Sequence, residues 1–206
     1  MTATRGRGRP RDPETDTAIL NAALELFVER GVEGTSIEQV AKRAGVGKLT
    51  VYRRWSTKED LLAQAIERWV SDEVTPSAAD VSALPPQAIV EHILPAAAEM
   101  AASPDFRALV ARIMGSAVSH PSLMAVYWRH YILPRRELAA AMLRRAQQDG
   151  MVAPDADLDV LIDMMAGAVT YRVLQPDPPD AAEMLRYLTA VYRQAGLYPP
   201  AQQTHP

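Results

Sequence analysis

A chain of 206 residues, 48% hydrophobic and 23% charged with a net charge of −3, has the make-up of a globular protein of one or two domains and not that of a fibre or a disordered chain. The absence of cysteine excludes disulfides, thiolate metal sites and cysteine nucleophiles, and four histidines leave little for a histidine metal centre. No apolar run approaches the roughly 20 residues of a membrane helix, and no apolar stretch follows the Arg-rich start as in a secretory signal, so a cytoplasmic location with no membrane partner is expected.

The chain opens on a flexible basic arm, residues 1–12, in which Arg7-Gly8-Arg9-Pro10 resembles the core of an AT-hook. Such a Gly lets backbone lie deep in a narrow minor groove, where Arg7 and Arg9 would find enhanced negative potential. The other reading is a basic tail that adds electrostatic affinity alone. Strand signals are nearly absent beyond the arm, and apolar residues recur at helical spacing. Ile19, Ala23, Leu26 and Phe27 line one face of a first helix that starts after Pro13, with Asp12 as its expected N-cap, and stops at Gly31. Thr35, with Glu38 three residues on, predicts a capping box for a second helix running to about Arg43. A short helix follows over Lys48–Arg54. A fourth, capped by Ser56 or Thr57, turns Leu61, Leu62, Ala65, Ile66 and Trp69 to one side. Residues 71–86, with Pro76, Pro85 and Pro86, read as a linker. Proline and glycine then punctuate five longer helical segments, near 86–102, 104–119, 121–149, 156–175 and 180–195, with Pro95 and Pro134 expected to kink or break two of them. The expectation is an all-α chain of about nine helices: a helix-turn-helix domain at 13–70, a helical bundle at 87–197 and a tail at 198–206.

Residues 35–55 read as helix, tight turn, helix. Gly45 supplies a residue at ease with positive φ, Val46 an apolar plug, and small Ala41 lets the second helix cross closely. The second helix then offers Lys48, Thr50, Tyr52, Arg53 and Arg54, types that bind phosphates and base edges. Charge agrees: the first 70 residues hold 12 Lys+Arg against 10 Asp+Glu, the remainder 10 against 15. A slightly basic module on an acidic body suits a nucleic-acid partner. Trp55 reads as core.

The run from Gly34 to Trp55, Gly-Thr-Ser-Ile-Glu-Gln-Val-Ala-Lys-Arg-Ala-Gly-Val-Gly-Lys-Leu-Thr-Val-Tyr-Arg-Arg-Trp, followed by Ser56-Thr57-Lys58-Glu59-Asp60-Leu61-Leu62, resembles the TetR/AcrR family of bacterial transcriptional regulators. The likeness is dense over about 14–65 and architectural beyond. It implies a homodimer that binds a double-stranded DNA operator, with no enzymatic activity and no cofactor, and C-terminal helices that pair the two copies and enclose a small effector. By position it places Lys48 and Thr50 against base edges and backbone. Tyr52 and Lys58 fall on phosphates, Arg53 on bases or phosphate, and Thr35 at a helix N-terminus facing the backbone. Two departures stand out: Gly47 replaces a frequent Ser or Thr cap, and Leu49 replaces a small residue or Pro, where it would touch a thymine methyl or simply pack.

In the C-terminal region Met100, Met114, Met124, Tyr127, Trp128, Tyr131, Met164 and Met165 suit an adaptable apolar pocket, though for each one taken singly plain core is the commoner reading. His92, His120, Arg112 and Arg129 are candidates to orient a polar ligand group. The last two helices carry more apolar surface than one neighbour covers. Leu161, Met165 and Ala168, with Met184, Leu188, Val191 and Tyr192, are therefore expected at a two-fold dimer interface, the alternative being that they close the protomer's own core. Two further functions compete with a repressor released by a small, largely apolar effector. One is a DNA-binding regulator controlled by a protein partner or by abundance. The other is a helical enzyme, against which no catalytic cluster, phosphate loop or metal spacing is found.

Overall fold

The computed structural model describes residues 13–72 and 85–198, and every regular element among them is helical. The expected arm with Arg7 and Arg9, most of the expected linker and nearly all of the tail lie outside the described residues. Nine helices are described, as the sequence leads one to expect, and the chain divides into two compact units between Arg68 and Trp69.

The first unit holds α1 (Pro13–Arg30), α2 (Ile37–Arg43), α3 (Lys48–Tyr52) and the greater part of α4 (Lys58–Asp72). Ile19, Leu20, Ala23, Leu26 and Phe27 of α1 are buried with Val40, Val51, Trp55, Leu61, Leu62 and Ile66. Full burial of each large side chain contributes about 1.5–3 kcal/mol, so this small core is what holds α3 in place. Local chemistry sets the boundaries. Gly31 ends α1 at φ 72°. Gly45, at φ 69°, makes a Schellman turn, its N–H donating to the Lys42 carbonyl (3.3 Å) and the Val46 N–H to the Ala41 carbonyl (2.9 Å). Thr57 and Asp60 cap α4 reciprocally.

The cap of α2 corrects the sequence expectation by one residue. Ser36, not Thr35, is the N-cap, and its box partner is Gln39 rather than Glu38. The Thr35 side chain is buried, 2% exposed, and its hydroxyl donates to the Gly31 carbonyl at 2.7 Å, which ties α2 to the end of α1 instead.

The second unit holds α5 (Pro86–Ala102), α6 (Pro104–Ser116), α7, α8 (Leu158–Val173) and α9 (Ala181–Gln194). α7 runs as Pro121–Tyr127, one π-helical turn over Trp128–Ile132, then Leu133–Gln148. Ser103, Asp157 and Asp180 cap α6, α8 and α9. α9 packs chiefly along α5, and α8 lies against α7, α9 and α5. The two internal prolines behave differently. α5 passes through Pro95 unbroken on an exposed stretch. Pro134 has no N–H for the His130 carbonyl, and the turn before it widens: the Leu133 N–H donates to the Trp128 carbonyl five residues back.

Candidate nucleic-acid interface and ligand cavity

α3 is five residues long and rests on the core through Val51, which is fully buried. Its other side chains point away from that anchor. Leu49 is 73% exposed, Lys48, Tyr52 and the following Arg53 are exposed, and Thr50 is half-buried. Gly47 is the N-cap and contributes no side-chain hydrogen bond. Lys48 is ion-paired with Glu38 across the turn and lies 5.5 Å over the Tyr52 ring. The hydrogen bond that Lys48 donates to the Glu38 carboxylate raises the Lys48 pKa and lowers that of Glu38, so both stay charged. A phosphate or base acceptor would have to replace Glu38 for Lys48 to engage nucleic acid. The Arg53 side chain makes no hydrogen bond or ion pair with any described residue.

Three of the expected contact residues are held by the protein itself. Arg54 is turned inward, ion-paired with Asp16 and donating from Nη1 to the Thr50 carbonyl at 3.0 Å. It fastens α3 to α1 and is no free contact for a phosphate. Lys58, at the start of α4, donates from Nζ to the Val32 carbonyl at 2.7 Å. Thr35 is buried, which leaves the hydroxyl at the α2 N-terminus to Ser36, a residue the capping argument placed one position off. The surface that remains is a short helix displaying one aliphatic side chain amid a lysine, a threonine, a tyrosine and an arginine. These are residue types that bind base edges and phosphates.

The second unit holds a cavity of about 390 Å³, partly open to solvent and within the range typical of small-molecule sites. Of the expected lining, Met100, Tyr127, Tyr131 and Met165 border it. Met114, Met124, Trp128 and Met164 do not, and Trp128 and Met164 are exposed at the surface. Of the expected polar groups, His92 borders the cavity, whereas His120, Arg112 and Arg129 do not. Three expected interface residues, Met165, Leu188 and Tyr192, line the cavity, and Met184 is fully buried. These side chains close the protomer's own core. Tyr127 and Tyr131 stack at 4.9 Å, and Phe106, Tyr131 and Trp69 form a cluster with centroids 5.9–6.3 Å apart. Sequence reasoning missed Arg135. The spacing Tyr127, Tyr131, Arg135 was the available signal, but the π turn that sets its phase has no signature beyond Pro134.

Residues 19–65 match the family model described as bacterial regulatory proteins, tetR family, and residues 89–191 match that of a Tetracyclin repressor-like C-terminal domain. The HTH-type transcriptional regulator YdeS of Bacillus subtilis is 30% identical over 168 residues, 82% of each chain. A regulator from Saccharomonospora viridis solved with choline superposes with a TM-score of 0.66 at 20% identity, covering 88% of this chain and 97% of the other. FadR from Bacillus subtilis, solved with stearoyl-CoA, gives 0.58 at 15%, covering 87% and 96%.

Proposed function

The chain belongs to the TetR family of DNA-binding transcriptional regulators, and from this premise we propose that it is a homodimeric repressor released from its operator by a small, largely apolar effector. In this reading Lys48, Leu49, Thr50, Tyr52 and Arg53 meet the DNA in the bacterial cytoplasm, with Lys58 leaving the Val32 carbonyl for a phosphate. The cavity of about 390 Å³ carries the effector half of the proposal. A regulator governed by abundance or by a protein partner needs no such space, and its bundle would be packed to ordinary interior density. The choline and stearoyl-CoA complexes lend support, since other proteins of this fold hold small molecules.

Pairing of two copies falls on a different stripe from the one the sequence suggested. Val160, Met164, Tyr171 and Leu174 recur along α8 at spacings of three to four with Gly167 between them, and all are exposed. That is the pattern of a helix seam, and a second copy related by a two-fold axis is its proposed occupant. Leu161, Ala168 and Val191, half-buried, would lie at its margin. Effector binding would displace Phe106 and Tyr131 against Trp69, a residue of the helix that begins at Lys58. It can do so only by favouring one arrangement over the other in affinity.

The test is fluorescence anisotropy on DNA from upstream of the chain's own gene, repeated with a panel of small apolar compounds. The expected result is a specific complex that one class of compound dissolves. Compounds that saturate the cavity and leave operator affinity untouched would favour control by a partner or by abundance.

A further inference from the structure

The charged side chains that border the cavity share one sign. Most of its wall is apolar, with Ile93, Met100, Phe106, Val110, Leu138 and Met142 among the lining, and no aspartate or glutamate borders it. Two arginines do. Arg136 is neutralised by ion pairs to Asp159 and Asp163 of α8. Arg135 has no carboxylate partner among the described residues. Its guanidinium lies flat against Tyr131, 3.7 Å from the ring centroid, and Nη1 donates to the Tyr131 carbonyl at 3.2 Å. Of the five N–H donors of a guanidinium, that is the one hydrogen bond made to described residues.

Two further donors border the same space. The phenols of Tyr127 and Tyr192 make no hydrogen bond with any described residue. Burial raises the pKa of both, while the Arg135 charge acts on both in the opposite sense, so Arg135 lies within electrostatic reach of each phenol, and all three border the same cavity. A guanidinium and two protonated phenols border a largely apolar chamber whose described lining holds no carboxylate, so an anion is the group they lack. A charge in such surroundings is stable when paired and costly when not.

We propose that the cavity binds an amphipathic monocarboxylate, its apolar body filling the chamber and its carboxylate pairing with Arg135 and the Tyr127 and Tyr192 hydroxyls. The proposal rests on the reading of the cavity as an effector site and adds the chemical class. A quaternary ammonium is disfavoured because the Tyr131 face that would receive it already carries the guanidinium. A neutral apolar molecule leaves Arg135 unpaired. A thioester of the same acid replaces the carboxylate by a neutral carbonyl.

The experiment is calorimetric titration of the full chain with four ten-carbon probes: decanoate, decanol, decyltrimethylammonium and decanoyl-CoA. Decanoate is expected to bind once per chain and at least tenfold more tightly than the other three. Arg135→Gln should weaken decanoate tenfold or more and decanol less than twofold, Arg135→Lys should recover part of the loss, and Tyr192→Phe should cost decanoate severalfold. Circular dichroism verifies that each variant is folded. Equal binding of decanoate and decanol, or decanoate affinity indifferent to Arg135→Gln in a folded variant, overturns the anion assignment and leaves an effector cavity standing. Tighter binding of decanoyl-CoA or of the ammonium probe overturns it likewise. If no probe binds, the assignment fails together with the effector reading itself.

Discussion

Arg54 holds its guanidinium inside the protein, on Asp16 and on the Thr50 carbonyl, while the side chain of Arg53 beside it makes no hydrogen bond or ion pair with any described residue. The pair looks uniform in sequence, a basic doublet at the end of a recognition helix, yet burial separates the two. Replacing Arg54 by Ala leaves Asp16 partly buried without its partner, and the expected cost is about 1–3 kcal/mol of stability, seen in thermal or urea unfolding. Arg53→Ala should leave unfolding unchanged, weaken operator binding on all sequences about equally and lower the salt slope by about one. An Arg53→Ala variant that unfolds early, or an Arg54→Ala variant of normal stability with lost DNA affinity, would reverse the two roles. Leu49, 73% exposed on the same helix, has no packing reason to be there, which favours the contact with a thymine methyl over simple packing.

At the level of elements, helix number, type and most boundaries were legible because apolar periodicity and the Pro, Gly and capping signals agree along the chain. Two places were not. The α2 cap slipped by one because Thr35 and Ser36 are equal candidates in sequence, and what separates them is tertiary: the Gly31 carbonyl takes the threonine hydroxyl. In α7 a proline within a helix announces a disturbance but not its form, and the π turn that brings Tyr127, Tyr131 and Arg135 to the cavity depends on packing between helices. Of the expected DNA surface, Lys48, Leu49, Tyr52 and Arg53 are exposed on and beside α3, whereas Thr35, Arg54 and Lys58 are bonded to the protein itself, which residue type alone does not reveal. The ligand side was read by residue type, and Met114, Met124, Trp128 and Met164 show that a suitable type does not give a position. The α7 arrangement also has a pH signature. Tyr127 is held protonated by burial beyond the ordinary phenol range, so its contribution is complete below pH 10 and is lost as pH rises above it, where the unfolded chain ionises and the folded one does not. The loss runs at about 1.4 kcal/mol per pH unit for one such phenol. Tyr127→Phe should therefore make stability fall less steeply between pH 10 and 11, as followed by urea unfolding at several pH values. An unchanged slope would mean that the phenol is solvated.

On the scale of the whole molecule, the proposed function depends on a second copy that would bring a second α3 to the DNA. Met164, 64% exposed, and Tyr171, 71% exposed, lie on the proposed α8 seam, whereas Leu188, 3% exposed, belongs to the cavity wall. Met164→Glu should yield a folded monomer at micromolar concentration by light scattering. Leu188→Glu should instead lower stability by burying an unpaired charge. A Met164→Glu protein that remains a dimer would move the interface elsewhere. Two α3 helices related by two-fold symmetry would meet major grooves about 34–36 Å apart, or a multiple of that spacing. The central claim is that α3 reads DNA sequence, and selection from a random DNA library tests it most directly, run in parallel on the natural chain and on Leu49→Ala. The account predicts enrichment of a two-fold symmetric site, with Leu49→Ala relaxing preference at one symmetric pair of positions. A library that emerges unenriched from the natural chain, or the same site selected with undiminished preference by Leu49→Ala, would contradict it.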